Sequence, residues 1–157
     1  MKRSDGRVVT FDIALLSKPD QEHIRAWKPR DKAPGGVYLA VGNHDDRRAL
    51  LQAFPGHKHL LGEDGFVQYT VDDFEVRLVV LDTLVPRAPG GELCARRLEW
   101  LDRALSASDR PTVVAQHHPP FVTGMTFMDQ MTLANPWEEA AVVARYGHVE
   151  RVISGHY

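Results

Sequence analysis

A chain of 157 residues, 43% hydrophobic and 25% charged, is long enough to bury the core of one domain and short for two. A formal net charge of -2 and a pI near 6.4 exclude a general polyanion-binding surface, so any recognition of phosphate must be local and no nucleic-acid partner is expected. The single cysteine, Cys94, excludes an internal disulfide, and no apolar run approaches the roughly 20 residues of a membrane span or follows Met1 to Asp5 as a signal core would, so a cytoplasmic protein without membrane contact is expected.

Taken in chain order, the first predicted strand, Val8 to Phe11, leads directly to Asp12. After a connection rich in Pro and Gly (Pro29 to Gly36), a second strand, Val37 to Val41, leads through Gly42 to Asn43 and on to a short helix over Arg47 to Phe54. Val67 to Val71 and Val76 to Leu81 are separated only by Asp72 to Glu75 and read as a hairpin. Pro86 to Gly91 is a second surface connection, followed by a helix over Leu93 to Leu105 with Cys94, Leu98, Leu101 and Leu105 on one face. The strand Thr112 to Ala115 leads through Gln116 to His117. Phe121 to Leu133 is apolar without a clean period, and suits either a lid over a pocket or a loop packed on the core. Asn135 as N-cap and Pro136 at the first helical position open a helix over Trp137 to Tyr146. The last strand, Val149 to Ile153, leads through Ser154 and Gly155 to His156. Strands alternating with helices, with one hairpin among them, predict an α/β domain with a mixed sheet.

Ligands of open α/β sheets gather at the carboxyl ends of strands. Four predicted strands end at a potential metal ligand: Asp12, Asn43, His117 and His156. One carboxylate, one amide oxygen and two imidazoles suit Mn, Fe, Co or Zn, and the lack of cysteine argues against a structural thiolate zinc site. Gly42-Asn43-His44-Asp45 is the most specific string: Gly allows a tight turn after a strand, Asn offers a carbonyl oxygen, and His44 stands beside whatever the metal holds. Each motif alone has a blander reading. Asp12 and the Asn43 turn suit ordinary turn chemistry, the His117-His118 pair suits core or surface decoration, and His156 near the end of the sequence suits a frayed residue. His23, His57, His59 and His148 lie away from the strand ends and read as surface or core histidines, Cys94 as a packed small hydrophobe, and Arg47 and Arg48 as a solvated helix face.

Together, Gly42-Asn43-His44-Asp45, His117-His118-Pro119 and Gly155-His156 resemble the calcineurin-like metallophosphoesterases. Gly42 to Asp46, Tyr69 to Asp82 and Gln116 to Pro120 are closer still to the branch of class III cyclic-nucleotide phosphodiesterases and glycerophosphodiesterases. The resemblance covers nearly the whole chain and implies a four-layer α/β/β/α sandwich, here a single domain over residues 1–157, truncated at both ends. It implies two divalent metals (Mn, Fe, Zn or Co) sharing a bridging Asp. Val8-Val9-Thr10-Phe11-Asp12 matches that strand with Phe11 in place of a glycine, so Asp12 matches the bridging ligand and Asn43, His117 and His156 match the remaining ligands of one metal. His44 matches the histidine near the leaving group.

Two family motifs have no counterpart: an Asp-x-His strand before the bridging Asp, and the last His of Gly-His-x-His, where this sequence reads Gly155-His156-Tyr157. A fragment of a longer reading frame is therefore expected, with a degenerate natural protein as the alternative, holding at most one metal and weakly active or inactive. The function implied for the intact relative is hydrolysis of a small phosphodiester, a cyclic nucleotide or glycerophosphodiester, by a metal-activated hydroxide with His44 assisting the leaving oxygen. A phosphomonoesterase or nuclease of the same superfamily would share these motifs, and an inactive binding protein is the reading from another class. A homo-oligomer paired through the Phe121 to Leu133 stretch is compatible with either.

Overall fold

The computed structural model describes residues 38–57, 60–62 and 64–156. Predicted strand Val8 to Phe11, Asp12 at its end, and His23 and His59 lie outside the described residues. In chain order the elements are α1 (Arg47–Ala53), β1 (Tyr69–Val71), β2 (Arg77–Leu81), α2 (Ala95–Ser106), β3 (Thr112–Gln116), a 3₁₀ turn (Met128–Met131), α3 (Pro136–Val143) and β4 (Val149–Ser154). No described helix is long and apolar enough to cross a membrane.

The four strands form one sheet in the order β1-β2-β3-β4. β1 pairs with β2 antiparallel, as a hairpin must, while β2 to β3 and β3 to β4 are parallel, with α2 and α3 lying between the paired strands in sequence. The sheet is mixed and the domain α/β, as the pattern of elements predicts. All residues of β2 are buried, and its side chains alternate between two cores. Leu78 and Val80 pack with Val41, Leu50, Phe54, Val67 and Tyr69 on one face. Val79 and Leu81 pack with Leu93, Leu101, Leu105 and Val142 on the other. Burial on both faces explains why Leu78 to Leu81 is a continuous apolar run and not an alternating one. Each such fully buried aliphatic side chain contributes about 1.5–3 kcal/mol of transfer free energy.

Several predicted boundaries move, each for a local reason. Val67 drops out of β1 because its N–H donates to Asp82 Oδ2 (2.8 Å) and its ladder contact is a single bridge to Leu61. The helix predicted from Leu93 begins at Ala95, because the Leu93 N–H and C=O are both taken by the Asn135 side chain (2.9 and 2.8 Å). Asn135 does occupy the N-cap position of α3, with Pro136 after it, but its side chain caps nothing in that helix. α3 ends before Tyr146: Arg145 and Tyr146 donate to the carbonyls of Val142 and Val143, a tightening last turn. Tyr38 to Val41 carry no ladder among the described residues; Leu39 is held instead by the Tyr69 hydroxyl (2.9 Å).

Two side-chain readings are corrected. Cys94 is not on the buried face of α2 but at its half-buried N-cap. Burial acts to raise its thiol pKa, but the Arg97 and Arg96 backbone N–H groups and the Arg97 guanidinium outweigh it and lower the value. Arg47 is not solvated: its guanidinium is forked onto buried Asp82. Arg48 is exposed, as expected. In the Phe121 to Leu133 stretch only Leu133 enters a core, while Phe121, Val122, Met125 and Phe127 are exposed.

Candidate metal centre

Parallel pairing aligns Gln116 at the end of β3 with Ser154 at the end of β4. The residues that follow therefore leave the sheet side by side, and the N–H groups of Gly155 and His156 both reach the His117 carbonyl (3.3 and 3.2 Å). This brings the two imidazoles together: His156 Nδ1 lies 2.7 Å from His117 Nε2. Asn43 arrives from the turn before α1, with Oδ1 3.0 Å from the same His117 nitrogen. That turn is tied by the Gly42 N–H donating to Asp45 Oδ2 (2.8 Å) and the Asp45 N–H donating to the Gly42 carbonyl (3.1 Å). Asp46 then caps α1, accepting from Arg48 and Ala49 N–H at 2.9 Å. Gly42 has to be glycine for contact reasons, since a Cβ there would lie 2.8 Å from His117 Cε1.

The donor set suits a divalent ion. An octahedral ion with bonds of about 2.1 Å keeps neighbouring ligand atoms about 3.0 Å apart, close to the two separations from His117 Nε2, 3.0 Å to Asn43 Oδ1 and 2.7 Å to His156 Nδ1. One amide oxygen and two imidazole nitrogens suit a borderline cation better than a hard one. Burial, followed by the charges of His118, His156 and His44, pushes the His117 pKa down to about 3, so its ring is neutral and able to ligate across the ordinary pH range.

Of the expected site residues, Asn43, His117 and His156 are brought together and Asp12 lies outside the described residues. His44 follows Asn43, is exposed, and is near enough to His117 for its charge to be felt there. His57 and His148 sit elsewhere, edge-on to Phe54 and tilted against Tyr146.

His118 is a feature that sequence reasoning left without a role. One ring nitrogen from each of His117, His118 and His156 lies within 4.8 Å of the other two, which makes a three-histidine cluster. Both of its nitrogens are committed, however: Nε2 must donate to the Pro89 carbonyl (3.2 Å), which leaves Nδ1 to accept from the Thr83 hydroxyl (2.8 Å). His118 therefore supports the site without offering it a lone pair. Burial, then His156, lowers its pKa to about 4.

Beneath the histidines, Gln116 Nε2 donates to the His118 carbonyl (2.9 Å) and to buried Glu139 Oε2 (3.1 Å). Burial pushes the Glu139 carboxyl up to about 7, with the Gln116 hydrogen bond acting the other way. Between an unfolded value near 4.5 and the folded value near 7, the folded chain holds this proton and the unfolded chain does not, so the contribution of Glu139 to stability falls as pH rises. His117 and His118 act oppositely: the unfolded chain binds their protons below 6.5, so their contribution is lost as pH drops toward 4 and 3. Glu139→Gln should isolate the first effect. In urea unfolding with chelator present, the variant should gain on the parent by on the order of 1–3 kcal/mol between pH 5 and pH 8. Parallel pH profiles for the two proteins would show that Glu139 is not perturbed.

The sequence matches the family model described as calcineurin-like phosphoesterase over residues 5–157. It is 41% identical to a probable cyclic nucleotide phosphodiesterase of Rhodopseudomonas palustris, over 94% of this chain and 57% of that protein. It is 32% identical to a glycerophosphodiester phosphodiesterase of Enterobacter lignolyticus, over 99% of this chain and 56% of the relative. Against a 3',5'-cyclic adenosine monophosphate phosphodiesterase of Escherichia coli the identity is 33%, over 95% and 52%. The chain thus spans about half the length of these relatives.

Proposed function

Because the chain belongs to the calcineurin-like phosphoesterase family, we propose that it serves metal-dependent hydrolysis of a small phosphodiester, of the cyclic-nucleotide or glycerophosphodiester kind on which its relatives are named to act. The observation that carries this reading is the convergence of Asn43, His117 and His156 at the ends of neighbouring chain segments. We assign these three residues as ligands of one divalent cation, of the Mn, Fe, Co or Zn class, with Asp12 as the bridging ligand toward a second. Bound cations supply Lewis acidity at a phosphoryl oxygen and lower the pKa of a coordinated water. The chain's own residues do the rest. Asn43, fixed by the Gly42 to Asp45 turn, presents an oxygen. His44, exposed beside it, can hold a proton at the mouth of the site and give it to the leaving alkoxide.

The test is turnover of 3',5'-cyclic AMP, a glycerophosphodiester and an aryl phosphodiester by this chain with Mn, Co or Zn added. A phosphomonoester and a single-stranded oligonucleotide serve as the competing substrates. Even slow phosphodiester turnover that needs metal and stops with chelator supports the reading, whereas preference for the monoester or the oligonucleotide replaces it. No metal-dependent turnover of any ester, by this chain or by a version extended to the length of its relatives, would favour a binding role. His44→Ala should lower turnover by about 10²-fold at nearly unchanged metal content. Loss of metal from that variant would make His44 a ligand and not an acid.

A further inference from the structure

Directly after β2 stands the dipeptide Asp82-Thr83, and both residues are fully buried. Thr83 holds His118, as described above. Asp82 gathers four hydrogen bonds: the Val67 N–H on Oδ2 (2.8 Å), the Leu84 N–H on Oδ1 (2.9 Å), and the Arg47 fork, Nε on Oδ2 (2.6 Å) and Nη2 on Oδ1 (2.8 Å). Arg47 Nη2 also donates to the Leu84 carbonyl (2.7 Å). From behind, Arg97 Nη1 donates to the carbonyls of Asp82 and Leu84 (3.0 and 3.1 Å). Phe66 lies against the guanidiniums of Arg47 and Arg97, at 5.3 and 4.8 Å from the ring centre.

Arg47 is the first residue of α1, four positions after Asn43. A helix of 7 residues does not hold itself in water, so its place must come from tertiary contacts. Leu50 is its one fully packed residue, and lies a turn further from the metal centre. At the end that faces the site, the contact is the Arg47 fork. A bidentate guanidinium–carboxylate pair fixes direction as well as distance, which a Lys or a lone hydrogen bond would not.

We propose that Asp82, acting through Arg47, is a positioning residue for the metal centre: it sets the Asn43-His44 turn against His117, while its neighbour Thr83 sets His118. The inference rests on the reading of Asn43, His117 and His156 as metal ligands. Neither Asp82 nor Arg47 touches the cation. Their effect is to hold the Asn43 oxygen at ligating distance, so that metal binding does not have to order the turn first.

The experiment compares the parent chain, Arg47→Lys and the exposed control Arg48→Lys by Co²⁺ titration with visible absorption, and by amide hydrogen exchange without metal. Arg47→Lys should bind Co²⁺ about 10-fold or more weakly, with a changed absorption band and faster exchange at Gly42 and Asp45, while remaining cooperatively folded. Arg48→Lys should match the parent. An Arg47→Lys protein with the parent's Co²⁺ affinity and spectrum overturns the proposal alone, and leaves the metal ligands standing. A parent chain that takes up no Co²⁺ overturns the ligand assignment, and this inference with it. Should Arg47→Lys not fold, exchange in the parent decides: protection of Gly42 should agree with that of Val67, whose N–H ends on Asp82, within about threefold if the turn and the Asp82 cluster open as one unit. Much faster opening at Gly42 would show that Asp82 does not hold the turn.

Discussion

Gly91→Ala should destabilise the fold by about 3 kcal/mol or more, a fall in Tm of roughly 6–12 °C for a chain of this size. An alanine Cβ at this position would lie 2.3 Å from His118 Nδ1 and 2.5 Å from its Cγ. Neither partner can move aside cheaply. His118 is fully buried and pinned at both ring nitrogens, by Thr83 and Pro89. The Gly91 backbone is pinned too, donating to the Thr132 carbonyl (3.2 Å) and accepting from the Ala134 N–H (2.8 Å). Gly147→Ala is the matching control, because nothing lies within 4 Å of a Cβ there. Urea unfolding of the two variants checks the expectation, and a Gly91→Ala protein within about 0.5 kcal/mol of the parent would mean that the loop does not cross the His118 ring as described.

The largest effect on metal binding is expected from His117→Ala. Its Nε2 is the point at which Asn43 and His156 meet, at 3.0 and 2.7 Å, so its loss removes one proposed ligand and the contact that registers the other two. Affinity for Mn²⁺ or Co²⁺ should fall by more than about 100-fold, beyond the range seen for residues that only orient ligands, and metal-dependent turnover should fall to background. Isothermal titration of the folded variant measures this directly. Undiminished affinity would move the metal away from His117, toward a site that uses none of these strand ends.

Much of the site was legible because strand ends are legible. Apolar runs of strand length located β2, β3 and β4 to within a residue or so, and the polar residue after each run marked where a ligand could emerge. Asn43, His117 and His156 followed from that rule; parallel pairing makes the two histidines neighbours, and Asn43 reaches them from the turn before α1. Asp82 stands directly after Leu81, but it was not among the strand-end candidates, and nothing in the local sequence says that its partner is Arg47, 35 positions earlier. On a short helix an arginine next to another arginine looks like a solvated face. What buries one of the two is a carboxylate delivered by a distant strand. Asn135 stands at the N-cap position its sequence suggests, but its side chain is drawn elsewhere: N-cap preference is local chemistry, and the demand of Leu93, which lacks helical partners at its own N–H and C=O, outbids it from 42 positions away. His118 shows the reverse limit, since its motif was visible while its commitment to Thr83 and Pro89 depended on the path of the connection from β2 to α2.

The span of the contacts at the histidines bears on the order in which the molecule forms. Asn43 and His117 are 74 positions apart in sequence, and His117 and His156 are 39 apart. Closing loops of that length is entropically costly and comes after local helices and the β1–β2 hairpin. The three proposed ligand atoms therefore meet only once β3 and β4 have paired and the segment before Asn43 has packed on β2, late on the folding path. An ion that recognises the assembled trio has little to hold in the transition state, so its stabilisation is felt in how slowly the native chain opens and not in how fast it closes. A cation bound by the proposed trio would act as a latch on a finished structure and not as a nucleus for building it.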